Sequence, residues 1–187
     1  MTGPAHDEYV ALRATIRERG TARVCVFVGG IAAWVAATIA TAALASTPVA
    51  TLLPLLLLAA AFEAVFALHV GVERIGRYLQ VFHEAGGADG SGGWEHAAMA
   101  FGRPAGAATT DALFTVMFLI ATLFNAAPAL VGDPARVELV FIGGAHALFA
   151  LRLVVARQAA GKQRAIDLAR FQQLKRDATV PVSAEPL

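Results

Sequence analysis

Residues 52–84 read Leu52-Leu53-Pro54-Leu55-Leu56-Leu57-Leu58, then Glu63 and His69 inside an apolar run, then Glu73-Arg74-Ile75-Gly76-Arg77-Tyr78-Leu79-Gln80-Val81-Phe82-His83-Glu84. The first part is long and apolar enough to cross a bilayer, whose hydrocarbon core asks for roughly 20 residues. Past Val72, apolar residues keep recurring at Ile75, Leu79 and Phe82 with helical spacing while Arg74 and Arg77 point elsewhere. One helix that spans a membrane over 52–72 and projects into water as far as 85 accounts for both halves. An ionisable side chain inside such a span costs on the order of 2.5–3.5 kcal/mol on insertion scales, so Glu63 and His69 need a reason to be there.

The composition agrees with a membrane setting. Of 187 residues, 57% are hydrophobic and 16% charged, and the mean hydropathy is +0.61, outside the range of ordinary soluble domains. A single cysteine, Cys25, excludes an intrachain disulfide framework, a CxxC motif and a thiolate metal cluster. The net charge of +1 conceals a strong segregation of basic residues along the chain.

Three further spans flank this stretch in the sequence. Residues 1–23 are polar, and Tyr9, Leu12 and Ile16 behind Asp7-Glu8 predict a short amphipathic helix. It is expected to lie on the inner membrane surface or to pack on other helices there. Residues 24–45 form the first span; their length exceeds a signal-peptide core, so uncleaved insertion is expected despite Ala43-Leu44-Ala45. Residues 86–111 hold a glycine-rich loop and a short interfacial segment around Trp94–Phe101, the loop lacking the Lys-Ser/Thr ending of a phosphate-binding motif. Residues 112–131 are the third span, entered through Thr109-Thr110-Asp111 and carrying Thr115, Thr122 and Asn125. Residues 137–155 are the fourth, continuing as a basic helix to 177, with 178–187 a tail too broken by proline to fold alone. The expected fold class is therefore an all-α integral membrane protein, a four-transmembrane-helix bundle with long cytoplasmic extensions of helices 2 and 4.

Orientation follows from where the basic residues fall. Arg13, Arg17, Arg19 and Arg23 precede span one, Arg74, Arg77 and Arg103 lie between spans two and three, and seven follow from Arg152 onward, leaving Arg136 alone on the other side. By the positive-inside rule both termini face the cytoplasm, as in a multi-pass protein of a bacterial-type inner membrane. Helix packing is expected at the small-residue stripe Gly29, Ala33, Ala37 and at Gly143-Gly144, within the chain or between copies.

The polar residues sort into two layers by rise along ideal helices. Glu63 and His146 fall about 16 and 14 Å below the outer ends of their spans, near the midplane. Either they exchange a proton, or they form a hydrogen-bonded clasp that fixes packing. His69, Glu73, Asp111 and Arg152 gather at the cytoplasmic boundary, where His69 and Glu73 at i and i+4 offer imidazole and carboxylate to a divalent metal, or where ordinary ion pairs form. His83, Glu84, Glu95 and His96 are a second, weaker metal candidate. A haem between His69 and His146 is disfavoured by their difference in depth, about 12 Å.

No hydrolase, zincin or Walker-type motif is present, which leaves no catalytic residue to nominate. The expected function is a non-enzymatic membrane component for assembly or partner binding, as a homo-oligomer or with another membrane protein. The alternative is a proton or ion pathway, or a metal-binding redox protein, using the intramembrane Glu and His. The basic carboxyl-terminal helix is expected to attract anionic lipid headgroups rather than nucleic acid.

Overall fold

The computed structural model describes residues 3–84, 93–95, 97, 110–131 and 133–179, with side chains in the third helix from Phe114 onward. The described residues are all-helical: α1 (Pro4–Leu44), a 3-10 turn (Pro48–Thr51), α2 (Leu52–Phe82), α3 (Thr110–Val131) and α4 (Arg136–Thr179). Each of the four helices is long and apolar enough to cross a membrane. Their lengths differ in an informative way. At 1.5 Å per residue the 22 described residues of α3 extend about 33 Å, enough for the roughly 30 Å hydrocarbon core. Helices α1, α2 and α4 have 41, 31 and 44 residues and overshoot that thickness by roughly 15 to 35 Å.

The helix expected over residues 1–23 is not a separate element. α1 starts with Pro4 in its first turn, Asp7 beside the amino-terminal dipole, and runs unbroken through the polar and apolar halves to Leu44. Gly20 is the weakest helix former in the interior of the polar half, and its cost of roughly 1 kcal/mol is too small to break the helix. At the turn into α4, Asp133 takes a positive φ of 49°, a conformation Asp tolerates better than most residues. The Glu138 carboxylate then accepts the Ala135 backbone N–H at 2.9 Å, the carboxylate arm of a capping box.

The core lies in the apolar halves and centres on Phe118 of α3, which is fully buried. Phe27 of α1 and Phe62 of α2 meet it edge to face, with centroids 5.7 and 5.3 Å away, and Phe149 of α4 meets Phe62 at 6.1 Å. Each helix thus contributes one ring to a tilted aromatic stack, an arrangement worth about 0.5–1.5 kcal/mol per pair beyond burial. Around it Leu58 and Leu153 are completely enclosed. Much of the remaining apolar surface faces outward, including Leu56, Leu123, Phe124, Val140, Phe141 and Leu148. Such an area is foreign to a monomer in water and ordinary for one in lipid.

The small-residue expectation needs correction within the chain. Gly29 and Ala33 are exposed, and a Cβ on Gly29, Gly143 or Gly144 would meet nothing within 4 Å. The close approach is made one position on, at Gly30, where a Cβ would collide with the Ala61 methyl of α2. Ala37 is half-buried.

Beyond the apolar halves, the first turns of α1 and the last part of α4 each pack on the last part of α2. Tyr78 and Phe82 of α2 stack at 4.7 Å, and Phe171 of α4 packs edge-on against both. Lys175 donates to the Val81 carbonyl, Arg74 pairs with Asp167 at 3.3 Å, and the Tyr78 hydroxyl donates to Glu8 at 2.9 Å. The bundle therefore continues at one end as a polar three-helix extension. The Gly86–Gly93 loop apart from Gly93, most of the Trp94–Phe101 segment, His96 and the tail from residue 180 lie outside the described residues.

Candidate functional site: two polar layers and a basic cavity

The deepest polar group is Asn125 of α3, with no exposed surface. Its Nδ2 donates to the Thr51 carbonyl at 2.8 Å and lies 3.0 Å from His146 Nε2, while its Oδ1 accepts the Trp34 indole N–H at 3.0 Å. His146 Nδ1 lies 2.8 Å from the Ile142 carbonyl. A carbonyl only accepts, so the ring proton sits on Nδ1, and Nε2 is the acceptor for Asn125. Turning the amide over would set oxygen against oxygen at Thr51 and N–H against N–H at Trp34, which fixes its orientation. Every donor and acceptor of Asn125 and His146 in this network is used. The network ties α1, the 3-10 turn, α3 and α4 at one depth.

His146 consequently does not meet Glu63, the partner that depth alone suggested. Glu63 is held by Arg152 in a two-pronged ion pair, Nε to Oε1 at 2.8 Å and NH2 to Oε2 at 2.8 Å. The physical reason is reach: Arg152 begins about 6 Å deeper than Glu63 by helical rise, and its long side chain climbs back along α4 over the rings of Phe62 and Phe66, 5.9 and 5.4 Å from the guanidinium. The pair lies on the outer face, with side chains 49% and 41% exposed.

At the boundary layer, two arginines approach the His69 ring, one at each nitrogen. Arg23 NH1 approaches Nδ1 at 3.0 Å and Arg164 NH2 approaches Nε2 at 3.4 Å. Glu73, one turn on, pairs with Arg77 at 3.2 Å and Arg164 at 3.0 Å. Guanidinium groups thus stand where a metal bridging His69 and Glu73 was expected, and Arg152 is drawn away to Glu63. The Asp111 side chain lies outside the described residues. At the second metal candidate, of which His96 lies outside the described residues, Arg13 donates to Glu95 at 2.9 Å and to Glu84 at 3.3 Å, and Glu84 also accepts the Glu95 backbone N–H at 2.8 Å. His83 faces Glu8 at 3.7 Å. Among the described residues, no three of His, Cys, Asp and Glu come together as a metal site.

The Arg13 clasp carries the perturbed groups. Burial holds the Glu95 carboxyl above the usual carboxylate range, against the opposing pull of Arg13 and with Glu84 adding to the rise. The hydrogen bond to Glu8, and then burial, raise the Tyr78 hydroxyl. Arg13 also lies 5.3 Å from the Tyr9 ring and 5.5 Å from that of Trp94.

Between the two layers a cavity of about 120 Å³ draws its walls from all four helices. Phe62, Phe66, Phe114 and Phe118 line its apolar part, and Arg23, His69, Arg157 and Arg164 its polar part. Depth and periodicity did not select Trp34, Thr51 and Asn125 in the midplane network, nor Arg13, Arg23, Arg157 and Arg164 nearer the polar end. Trp34 had a usable signal, since it lies about 15 Å inside the end of its span, at the depth of His146. Comparison with protein-family models, with curated proteins and with solved structures finds no match to this chain.

Proposed function

We propose that this chain is a non-enzymatic four-span membrane component that recruits a partner, another membrane protein or a second copy, through its polar three-helix extension. In this reading both termini and the extensions of α2 and α4 lie in the cytoplasm, which the segregation of basic residues supports. The observation that carries it is on the outward face of α4, where Ile166 and Leu174 are 57% and 49% exposed on either side of the exposed Arg170. Spaced four residues apart, the three lie within a stripe of about 80°. They sit beyond the apolar span, where lipid does not account for exposed isoleucine and leucine, and an arginine between apolar side chains is typical of a protein interface.

Two further features support a packing role for the intramembrane polar groups rather than a conducting one. Asn125 and His146 use their hydrogen-bonding capacity on each other and on Trp34, Thr51 and Ile142. Glu63 is held by a bidentate arginine, a charge-assisted geometry that neutralises the carboxylate.

A photocrosslinking residue placed at Ile166 or Leu174 in living cells should give a discrete adduct, and one at the inward-facing Leu168 should not. Proteoliposomes should show no proton or cation flux above protein-free vesicles. Absence of an adduct at both positions, or a flux that disappears in Glu63→Gln, overturns the reading.

A further inference from the structure

We infer that the basic cavity between the spans is a binding site for one acidic phospholipid, which enters sideways between α3 and α4. Its phosphate would sit among Arg157, Arg164, Arg23 and His69, and part of an acyl chain against the phenylalanines. The inference goes beyond the partner-binding reading and depends only on the chain lying in a bilayer.

The cavity is divided as such a ligand is divided. Phenylalanines 62, 66, 114 and 118 offer no polar partner, whereas three guanidinium groups and an imidazole line the other part. No carboxylate belongs to the cavity lining among the described residues. Glu73 pairs with Arg164 in a neighbouring crevice, and Arg23, His69, Thr115 and Arg164 all have additional contacts. The argument therefore turns on Arg157. It is exposed, lines the cavity, and takes part in no ion pair among the described residues. Such an arginine, at the end of an apolar span and on the cavity wall, has its guanidinium available to a phosphate, which arginine binds in a two-pronged geometry.

The route of entry is also visible. Thr115, Arg157 and Gly161 line both the cavity and a groove between α3 and α4. Leu119 and Val154 form the apolar side of that groove and Lys162 its basic end. Gly161 leaves the doorway open, as a Cβ there would meet nothing within 4 Å. A groove that is apolar toward the bilayer centre and basic toward its surface, leading to a cavity of the same polarity, matches a lipid lying in its own leaflet. A free phosphate ion has no use for the aromatic wall. Inter-helix basic pockets on the cytoplasmic side are an established way for membrane proteins to hold anionic headgroups.

The test uses the full chain purified in detergent, with thermal melting followed as phosphatidylglycerol or phosphatidylcholine of identical acyl chains is added. Phosphatidylglycerol should raise the melting temperature saturably, and neither phosphatidylcholine nor inorganic phosphate at the same concentration should do so. Arg157→Gln should weaken the phosphatidylglycerol effect about fivefold, the worth of one basic residue at an anionic surface. Gly161→Leu, which keeps every charge and fills the doorway, should weaken it comparably, so a folding defect in one variant does not decide the matter. Arg170→Gln, on the same helix but outside the cavity, should leave it unchanged. Equal losses in Arg157→Gln and Arg170→Gln would mean diffuse attraction to the basic helix. Inorganic phosphate acting as well as the lipid would mean a simple anion site. Either result, or no distinction between the two lipids, overturns the inference, and none of them bears on whether Ile166 and Leu174 meet a partner.

Discussion

Asn125 donates to His146 across the interior of the bundle at 3.0 Å while accepting the Trp34 indole N–H at 3.0 Å. Because one amide serves helices α1, α3 and α4 and the Thr51 carbonyl together, its removal leaves several buried groups unmatched. Asn125→Ala should cost about 2 kcal/mol of stability in detergent melting, and Trp34→Phe about 1 kcal/mol. The double variant should cost less than the sum, since the two residues share a bond. Strict additivity would show that they act separately.

The Glu63 to Arg152 pair predicts a charge-swap result. Glu63→Gln or Arg152→Gln alone leaves one charge uncompensated beside the apolar span and should destabilise by about 1–3 kcal/mol. Glu63→Arg combined with Arg152→Glu should recover much of the loss. No recovery would mean that the arginine's position over Phe62 and Phe66, rather than its charge partner, holds it in place.

Neighbouring glycines should respond in opposite ways. Gly30→Val drives a side chain into Ala61 of α2, whereas Gly29→Val projects into open space. The first should lower the melting temperature markedly, with a cost in the range of about 1–3 kcal/mol for overpacking. The second should leave the isolated chain within about 0.5 kcal/mol of wild type. Melting both variants side by side checks this, and equal effects would contradict the packing described.

The clasp around Arg13 predicts a pH dependence. Burial raises the Glu95 carboxyl in the folded chain above its unfolded value, so the folded state holds that proton more tightly. The resulting stabilisation is complete below the ordinary carboxylate value and is lost as pH rises through the raised folded value. Glu95→Gln keeps a hydrogen-bond acceptor for Arg13 and cannot ionise. Wild type should therefore lose more stability than Glu95→Gln between pH 4 and pH 7, and parallel melting curves would contradict this.

The four long apolar helices were legible from hydropathy, because lipid exposure leaves a signal in every residue of a span. Pairings among polar residues were less so. Helical rise ranked Glu63 and His146 at one depth, but side-chain reach decides partners over distances of about 6 Å, and an arginine uses all of it. Direction around the helix decides the rest: Gly29 and Gly30 are equivalent in composition and differ by 100° in facing. The metal readings at His69, Glu73, His83, Glu84 and Glu95 weighed ligand types without their neighbours. Arg23, Arg164 and Arg13 come from helices far away in sequence, and no local spacing announces them. Trp34 reads as an ordinary large residue in a span until its depth is compared with that of Asn125 and His146.

The central claim is that four spans thread the membrane with both ends in the cytoplasm, and cysteine labelling tests it most directly. In a Cys25→Ser background, single cysteines replace Glu18, Ser46, Asp133 and Arg170, and intact cells are treated with a membrane-impermeant maleimide before and after permeabilisation. Ser46→Cys and Asp133→Cys should label from outside, and Glu18→Cys and Arg170→Cys only once the membrane is opened. Labelling of Glu18→Cys and Arg170→Cys from opposite sides, or of Ser46→Cys and Asp133→Cys from opposite sides, would contradict the four-span account.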